Sequence, residues 1–315
     1  LTLALAATLA EHRPRLYLTN SALHNPTGGG LTPSVAHRVL RLAEHLKEDG
    51  SISTYGQKRL VEFCCEAISI AEEQGSEQIL AFATSAIRGA PNGEETITRN
   101  REESGISLNV MTGEEEARIT FLAARRWFGW SAGRLAVFDI GGGSLEIAVG
   151  IDEDPDVAIS LPLGAGRVTR DMLAGDPPDA AQVKAARKHA RATIASEIRD
   201  IARAGKVDHV VGTSKTMRTL ARLNGAAPSG EGPYVPRILR ASDVSSTISR
   251  LAGLTAAERA ELPGISESRA AQSLAGAIVA EAAMDLLGVE ELEICPWALR
   301  EGVILRRLDR MNIPD

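Results

Sequence analysis

The chain has 315 residues, 44% hydrophobic and only 3% aromatic, with a net charge of −6. That composition excludes a disordered polymer, and the length suits two domains. The acidic balance argues against a general nucleic-acid binder, and no apolar run reaches membrane-spanning length.

Leu1 to Leu9 (LTLALAATL) has the apolar character of a signal-peptide core. It lacks a basic leader and runs into Glu11, His12 and Arg13, so a folded helix or strand is predicted there. The chain opens without Met, which implies a few residues upstream. Residues 34–48 carry apolar side chains at helical spacing, as do residues 57–75, where Gly75 supplies a stop. Ile79 to Ala83 reads as a short buried strand, 94–104 as a polar helix and Leu108 to Met111 as a strand. Thr112-Gly113-Glu114-Glu115 has the form of a capping box, which starts a helix that runs to about Phe128. Gly129 to Gly133 breaks it.

Leu135 to Ile140, Leu145 to Val149 and Val157 to Leu161 are predicted strands joined by tight turns, the pattern of a meander. A helix over 180–204 leads into a strand at Val207 to Val211, then Gly212-Thr213-Ser214-Lys215-Thr216 and a helix through Leu223. Residues 224–236 form a Gly- and Pro-rich loop. The remainder is mostly helical, with one strand at Leu292 to Cys295 and a last helix near 298–311. This order suits an α/β domain whose sheet mixes antiparallel and parallel strands. The three cysteines, Cys64, Cys65 and Cys295, have no metal-ligand spacing and are expected as free thiols of a cytoplasmic protein.

The stretch Phe138-Asp-Ile-Gly-Gly-Gly-Ser-Leu-Glu146 carries the clearest chemistry. Gly141, Gly142 and Gly143 let a ligand approach the backbone closely, and successive N–H groups in such a turn form an anion-binding concavity. Ser144 adds a hydroxyl. Asp139 is itself an anion, so its use is to hold a divalent cation that bridges to phosphate oxygens. Strand alternation turns Glu146 away from Leu145 and Ile147, where it can join Asp139 around the same ion. The competing reading is a Gly-rich hairpin with exposed acids.

VFDIGGGSLEIAVG closely resembles the second phosphate loop of the exopolyphosphatase/guanosine pentaphosphate phosphohydrolase family. FATSAIRGAPN (82–92), GEEEARITFLAA (113–124), LPLGAGRVTRDM (161–172), VVGTSKTMRTLARL (210–223) and LREGVILRRL (299–308) resemble further family segments in chain order. The likeness covers roughly residues 40–310 and resembles the short actinobacterial-type members in particular. It implies a duplicated actin/hexokinase-like, or ribonuclease-H-like, α/β fold with an interdomain cleft. The expected domains are 1–129 and 130–298, with helix 299–315 packing back on the first. It also implies a Mg²⁺-dependent phosphoanhydride hydrolase that removes terminal orthophosphate from inorganic polyphosphate, and in some members from guanosine pentaphosphate, often as a homodimer.

The resemblance assigns Glu116, the second Glu of Glu-Glu-Ala-Arg, to catalysis. A carboxylate there orients the attacking water and accepts its proton. Glu114 and Glu115 fit the ordinary enrichment of acids in a first turn. Arg88 offers a planar bidentate donor to phosphate. Arg118 suits either phosphate or a surface ion pair. Arg167, Lys215 and Arg218 suit a basic track for a long polyanion. Lys215 stands where many members have Gly, which favours bare polyphosphate over a purine-bearing ligand.

The family's first phosphate loop is incomplete. Thr19-Asn20-Ser21 matches its second half and makes Asn20 a candidate phosphate contact, but Leu16 and Leu18 replace the Asp and Gly. Thr27-Gly28-Gly29-Gly30 is a second Gly run without the acid. That damage leaves room for a non-catalytic polyphosphate or alarmone sensor. A sugar or acetate kinase of the same fold is disfavoured by the Glu-Glu-Ala-Arg helix.

Overall fold

The computed structural model describes residues 16–20, 37–40, 42–47, 49–73, 75–76 and 79–311. The expectations for Leu1 to Leu9 and for Thr27 to Gly30 lie outside the described residues. The contacts divide the chain into two compact units that meet in sequence between Thr112 and Gly113.

The first unit is built on β1 (Leu16–Asn20), β2 (His37–Val39), β3 (Ile79–Ala83) and β4 (Asn109–Val110), in the order β2-β1-β3-β4. All three pairings are parallel. Helix α1 (Thr54–Glu73) buries Leu60, Phe63, Cys64, Ala67 and Ala71, a stripe at three- and four-residue spacing. The short α2 (Ser85–Arg88) follows β3, and α3 (Gly93–Ser104) ends at Gly105, whose φ of 76° is the left-handed stop glycine allows.

The helix expected over 34–48 is not formed. His37–Val39 pairs with Tyr17–Thr19 instead, and only Leu42–His45 turns, as a 3-10 helix. Strand pairing overrides a periodicity of barely four turns.

The second unit opens with α4 (Gly113–Phe128), followed by the strands β5 (Leu135–Ile140), β6 (Leu145–Gly150) and β7 (Val157–Leu161). Then come α5 (Ala165–Met172), α6 (Ala180–Arg203), β8 (His209–Gly212), α7 (Lys215–Leu223), β9 (Ile238–Arg240) and α8 (Ala241–Ala252). After two short helical turns come α9 (Ser273–Leu286), β10 (Glu291–Ile294) and α10 (Leu299–Met311). The sheet order is β7-β6-β5-β8-β10-β9. β5, β6 and β7 form an antiparallel meander, β8 and β10 add in parallel beside β5, and β9 closes the edge antiparallel. A meander whose first strand is extended on its other side by two parallel strands is the ribonuclease-H-like arrangement. β9 was missed from sequence because three residues between a loop and a helix carry no alternation signal.

β5 and β6 are buried along their whole length. One face of the sheet, with Ala136, Phe138, Ile140, Leu145, Ile147 and Val149, packs into the core shared with α6 and α9. The other face is covered by α4, which packs on β5, β6 and β7 and against α10. Arg125 on α4 is 1% exposed. Its guanidinium donates to the carbonyls of Gly129, Gly133 and Gly150, at 3.1, 2.7 and 3.0 Å. These bonds fasten the end of α4 and the following turn to β6.

Candidate active site

The site begins with strand register. Asp139 and Glu146 are direct partners across β5 and β6, so their side chains share one face. Period-two alternation puts them with Leu135 and Val137, on the face that α4 covers. Glu116 lies in the first turn of that helix. All three carboxylates are buried: Asp139 and Glu146 are each 3% exposed and Glu116 5%.

Burial of charge is costly unless it is compensated. Glu146 is held well above the usual carboxylate range, first by burial, then by the negative charges of Glu116 and Asp139. Hydrogen bonds from Ser144 and Ser160 oppose that rise. Ser160 stands opposite Glu146 in the β6–β7 register and its Oγ donates to Glu146 Oε1 at 2.8 Å. Asp139 is raised by burial, opposed by a hydrogen bond from Thr213 and by the charges of Arg218 and Arg269. Thr213 Oγ1 donates to Asp139 Oδ2 at 2.6 Å, while Oδ1 is buried without a hydrogen-bond partner. Two buried acids paired across the strands, one with an orphaned oxygen, are donors that a divalent cation would satisfy.

The glycine turn is fixed by its neighbours. Gly141 N–H donates to Ser144 O at 2.9 Å, and the carbonyls of Gly141 and Gly142 accept from Ala165 and Arg167, both at 2.9 Å. The start of α5 is thus docked onto the turn. The start of α7 is docked onto the end of β5. Ile140 N–H donates to Ser214 Oγ at 3.3 Å, and Thr216 Oγ1 donates to Ile140 O at 2.9 Å. Ser214 also caps α7 by accepting from Met217 N–H.

The sequence-predicted residues fall as follows. Asp139, Glu146, Ser144 and Glu116 come together on one face of the second unit. Lys215 is the first residue of α7, half-buried, with Nζ 3.4 Å from Ser266 Oγ. Arg88 ends α2 in the first unit and donates to Met111 O at 2.5 Å. Asn20 ends β1 in register with Ala83. Arg118 forms an ion-pair network, with Glu114 at 2.8 Å and Asp154 at 2.7 Å. Arg218 is pulled down to about 10 by burial, against the charges of Glu301 and Asp139, and still carries its charge at neutral pH. Arg300 and Glu301 form a buried ion pair at the start of α10, where Glu301 also accepts Ala298 N–H at 2.9 Å.

Sequence reasoning passed over Thr213 and Ser160. Thr213 stood in the quoted Gly-Thr-Ser-Lys-Thr run, but only the β5–β8 pairing brings it to Asp139. Ser160 becomes visible only once the β6–β7 register is known.

The sequence profile of the Ppx/GppA phosphatase family matches residues 32–311. Exopolyphosphatase 1 of Mycobacterium tuberculosis (strain ATCC 25618 / H37Rv) is 50% identical over 283 residues, which cover 90% of this chain and 82% of that protein. Exopolyphosphatase 1 of Mycobacterium leprae is 49% identical, covering 90% and 84%. The crystal structure of the Aquifex aeolicus Ppx/GppA family member superposes with a TM-score of 0.68 at 26% identity, over 87% of this chain and 88% of that one. With a profile match across most of its length, relatives at half identity and the same α/β fold, the chain belongs to the Ppx/GppA phosphatase family.

Proposed function

We propose that the protein is an exopolyphosphatase that releases terminal orthophosphate from inorganic polyphosphate. The observation that carries this reading is the 50% identity, over 283 residues and 90% of this chain, to a protein named Exopolyphosphatase 1. Phosphoanhydride hydrolysis asks for an oriented water, a neutralised polyanion and a held terminal phosphate. Glu116 orients the water and takes its proton. The turn at Gly141, Gly142, Gly143 and Ser144 receives phosphate oxygens, with Lys215 adding positive charge. The part of Arg88 and Asn20 in phosphate binding rests on the resemblance of their segments.

Asp139 and Glu146 are the residues that would hold a divalent cation, Mg²⁺ by preference. The orphaned Asp139 Oδ1 supports that assignment. Among the described residues no three His, Cys, Asp or Glu side chains form a metal-binding group. The two carboxylates would hold the ion together with water and phosphate oxygens, the habit of Mg²⁺. When bound, the ion neutralises charge on the phosphate oxygens.

Guanosine pentaphosphate is the lesser substrate in this reading, because Lys215 fills space at the head of α7. No helix among the described residues is long and apolar enough to cross a membrane. A cytoplasmic homodimer is our inference from the free cysteines and the resemblance.

Malachite-green detection of phosphate released from short polyphosphate tests the proposal, with Glu116→Gln as control and guanosine pentaphosphate as competitor substrate. Release that depends on Glu116 and a divalent ion is expected. Absence of Glu116-dependent release with Mg²⁺, Mn²⁺ and Ca²⁺ alike overturns it.

A further inference from the structure

The acids of the site are held by hydroxyls from two other strands or their ends. Thr213 is fully buried and leaves β8 with its N–H bonded to Phe138 O at 3.1 Å. That bond anchors its backbone to the residue before Asp139, and its hydroxyl then reaches Asp139 Oδ2 at 2.6 Å. Asp139 is thereby fixed with one oxygen occupied and Oδ1 unpartnered. Across the sheet, Ser160 is a register partner of Glu146 and reaches its Oε1 at 2.8 Å. A hydroxyl has one proton to give, so each of these contacts commits that proton to a carboxylate. Such charge-assisted bonds are strong and directional. The arrangement has the logic of outer-sphere partners that orient ligands before an ion arrives, whose loss typically weakens metal affinity about 10–100-fold.

We propose that Thr213 and Ser160 are positioning residues for the cation: each hydroxyl engages one oxygen of Asp139 or Glu146 and holds that carboxylate in its ion-receiving orientation. Thr213 has the larger effect, because among the described residues it alone donates a side-chain hydrogen bond to the Asp139 carboxylate. Glu146 is supported by both Ser144 and Ser160. The inference rests on the assignment of Asp139 and Glu146 to the cation.

Titration calorimetry of the full chain with Mn²⁺ in the absence of polyphosphate tests it directly, using wild type, Asp139→Asn, Thr213→Val, Thr213→Ser and Ser160→Ala. Thr213→Val keeps the shape of the side chain and removes the hydroxyl, whereas Thr213→Ser keeps the hydroxyl. The expected result is Mn²⁺ affinity about 10–100-fold weaker in Thr213→Val, less weakened in Ser160→Ala, and restored to within a few-fold in Thr213→Ser. In steady-state assays the half-saturating metal concentration should rise by the same factor, by more than kcat falls. Thermal unfolding of each variant monitors the fold. If Thr213→Val does not fold, the Ser160→Ala and Thr213→Ser pair carries the test, with weakened and near-wild-type binding respectively expected. Mn²⁺ affinity unchanged in Thr213→Val or Ser160→Ala, but lost in Asp139→Asn, overturns the positioning role alone. Affinity unchanged in Asp139→Asn overturns the cation assignment beneath it.

Discussion

Gly164 sits so close to the backbone of Gly143 that a Cβ built on it would lie 2.3 Å from the Gly143 N and C atoms and from Ser144 N. No side chain fits there without moving the turn. Gly164→Ala should therefore displace the Gly141–Ser144 turn while leaving the carboxylates chemically intact. A shift of about 1 Å in a positioning element costs on the order of 100-fold in turnover. Polyphosphate hydrolysis should fall by about that factor while the Mn²⁺ affinity stays within a few-fold. A fully active Gly164→Ala would refute this role for the turn.

Glu116→Gln removes a proton acceptor without changing shape. Loss of general-base assistance is worth about 10²–10⁴-fold. The expected outcome is a fall of that size in kcat, with KM for polyphosphate changed by less than tenfold. Rapid-quench measurement of a single turnover checks that the chemical step is the one slowed.

Glu146 holds its proton more tightly in the folded chain than in the unfolded one, because of burial and of Glu116 and Asp139 beside it. A group of this kind contributes stability that is fully present below its unfolded value, about pH 4.3, and is lost as pH rises through the raised folded value. Metal-free wild type should lose stability relative to Glu146→Gln across that window. At pH 7 in EDTA the variant is expected to be the more thermostable, and near pH 4 the two melting temperatures should converge. Calorimetric scans from pH 4 to 8 decide it. Added Mg²⁺ should raise the melting temperature of wild type and leave that of the variant nearly unchanged.

Gly302 allows α10 to lie directly on α4, since a Cβ there would meet Ile119 O at 2.1 Å and Ile119 Cγ2 at 2.7 Å. Overpacking of this kind costs about 1–3 kcal/mol. With backbone as the obstacle, the upper end applies, and Gly302→Ala should lower the melting temperature by roughly 6–12 °C. Differential scanning calorimetry measures it.

Local signals were the legible ones. The helix from Gly113 to Phe128 announced itself through the acids after Thr112 and the break at Gly129, and the observed bounds agree. β5 and β7 were readable for the same reason, as apolar runs between turns. Strand alternation placed Glu146 on the side away from Leu145 and Ile147, where it could join Asp139, and the register makes the two direct partners. What sequence lacked was anything that depends on distant partners. β2 forms because β1 lies beside it. Thr213 reaches Asp139 across 74 positions, and Ser160 reaches Glu146 because of a register that no local pattern encodes. Arg118 is a middle case: sequence left phosphate and a surface ion pair both open, and Glu114 and Asp154 supply the ion pairs.

The carbonyls of Gly129, Gly133 and Gly150 converge on the Arg125 guanidinium and tether the far end of α4 to β6, two helical turns and more from Glu116. A helix anchored at that end, and packed along β5, β6 and β7, does not slide independently of the sheet. Glu116, Asp139 and Glu146 are consequently parts of a single pre-assembled block. The spacing between Glu116 and the Asp139–Glu146 pair is set when this unit folds.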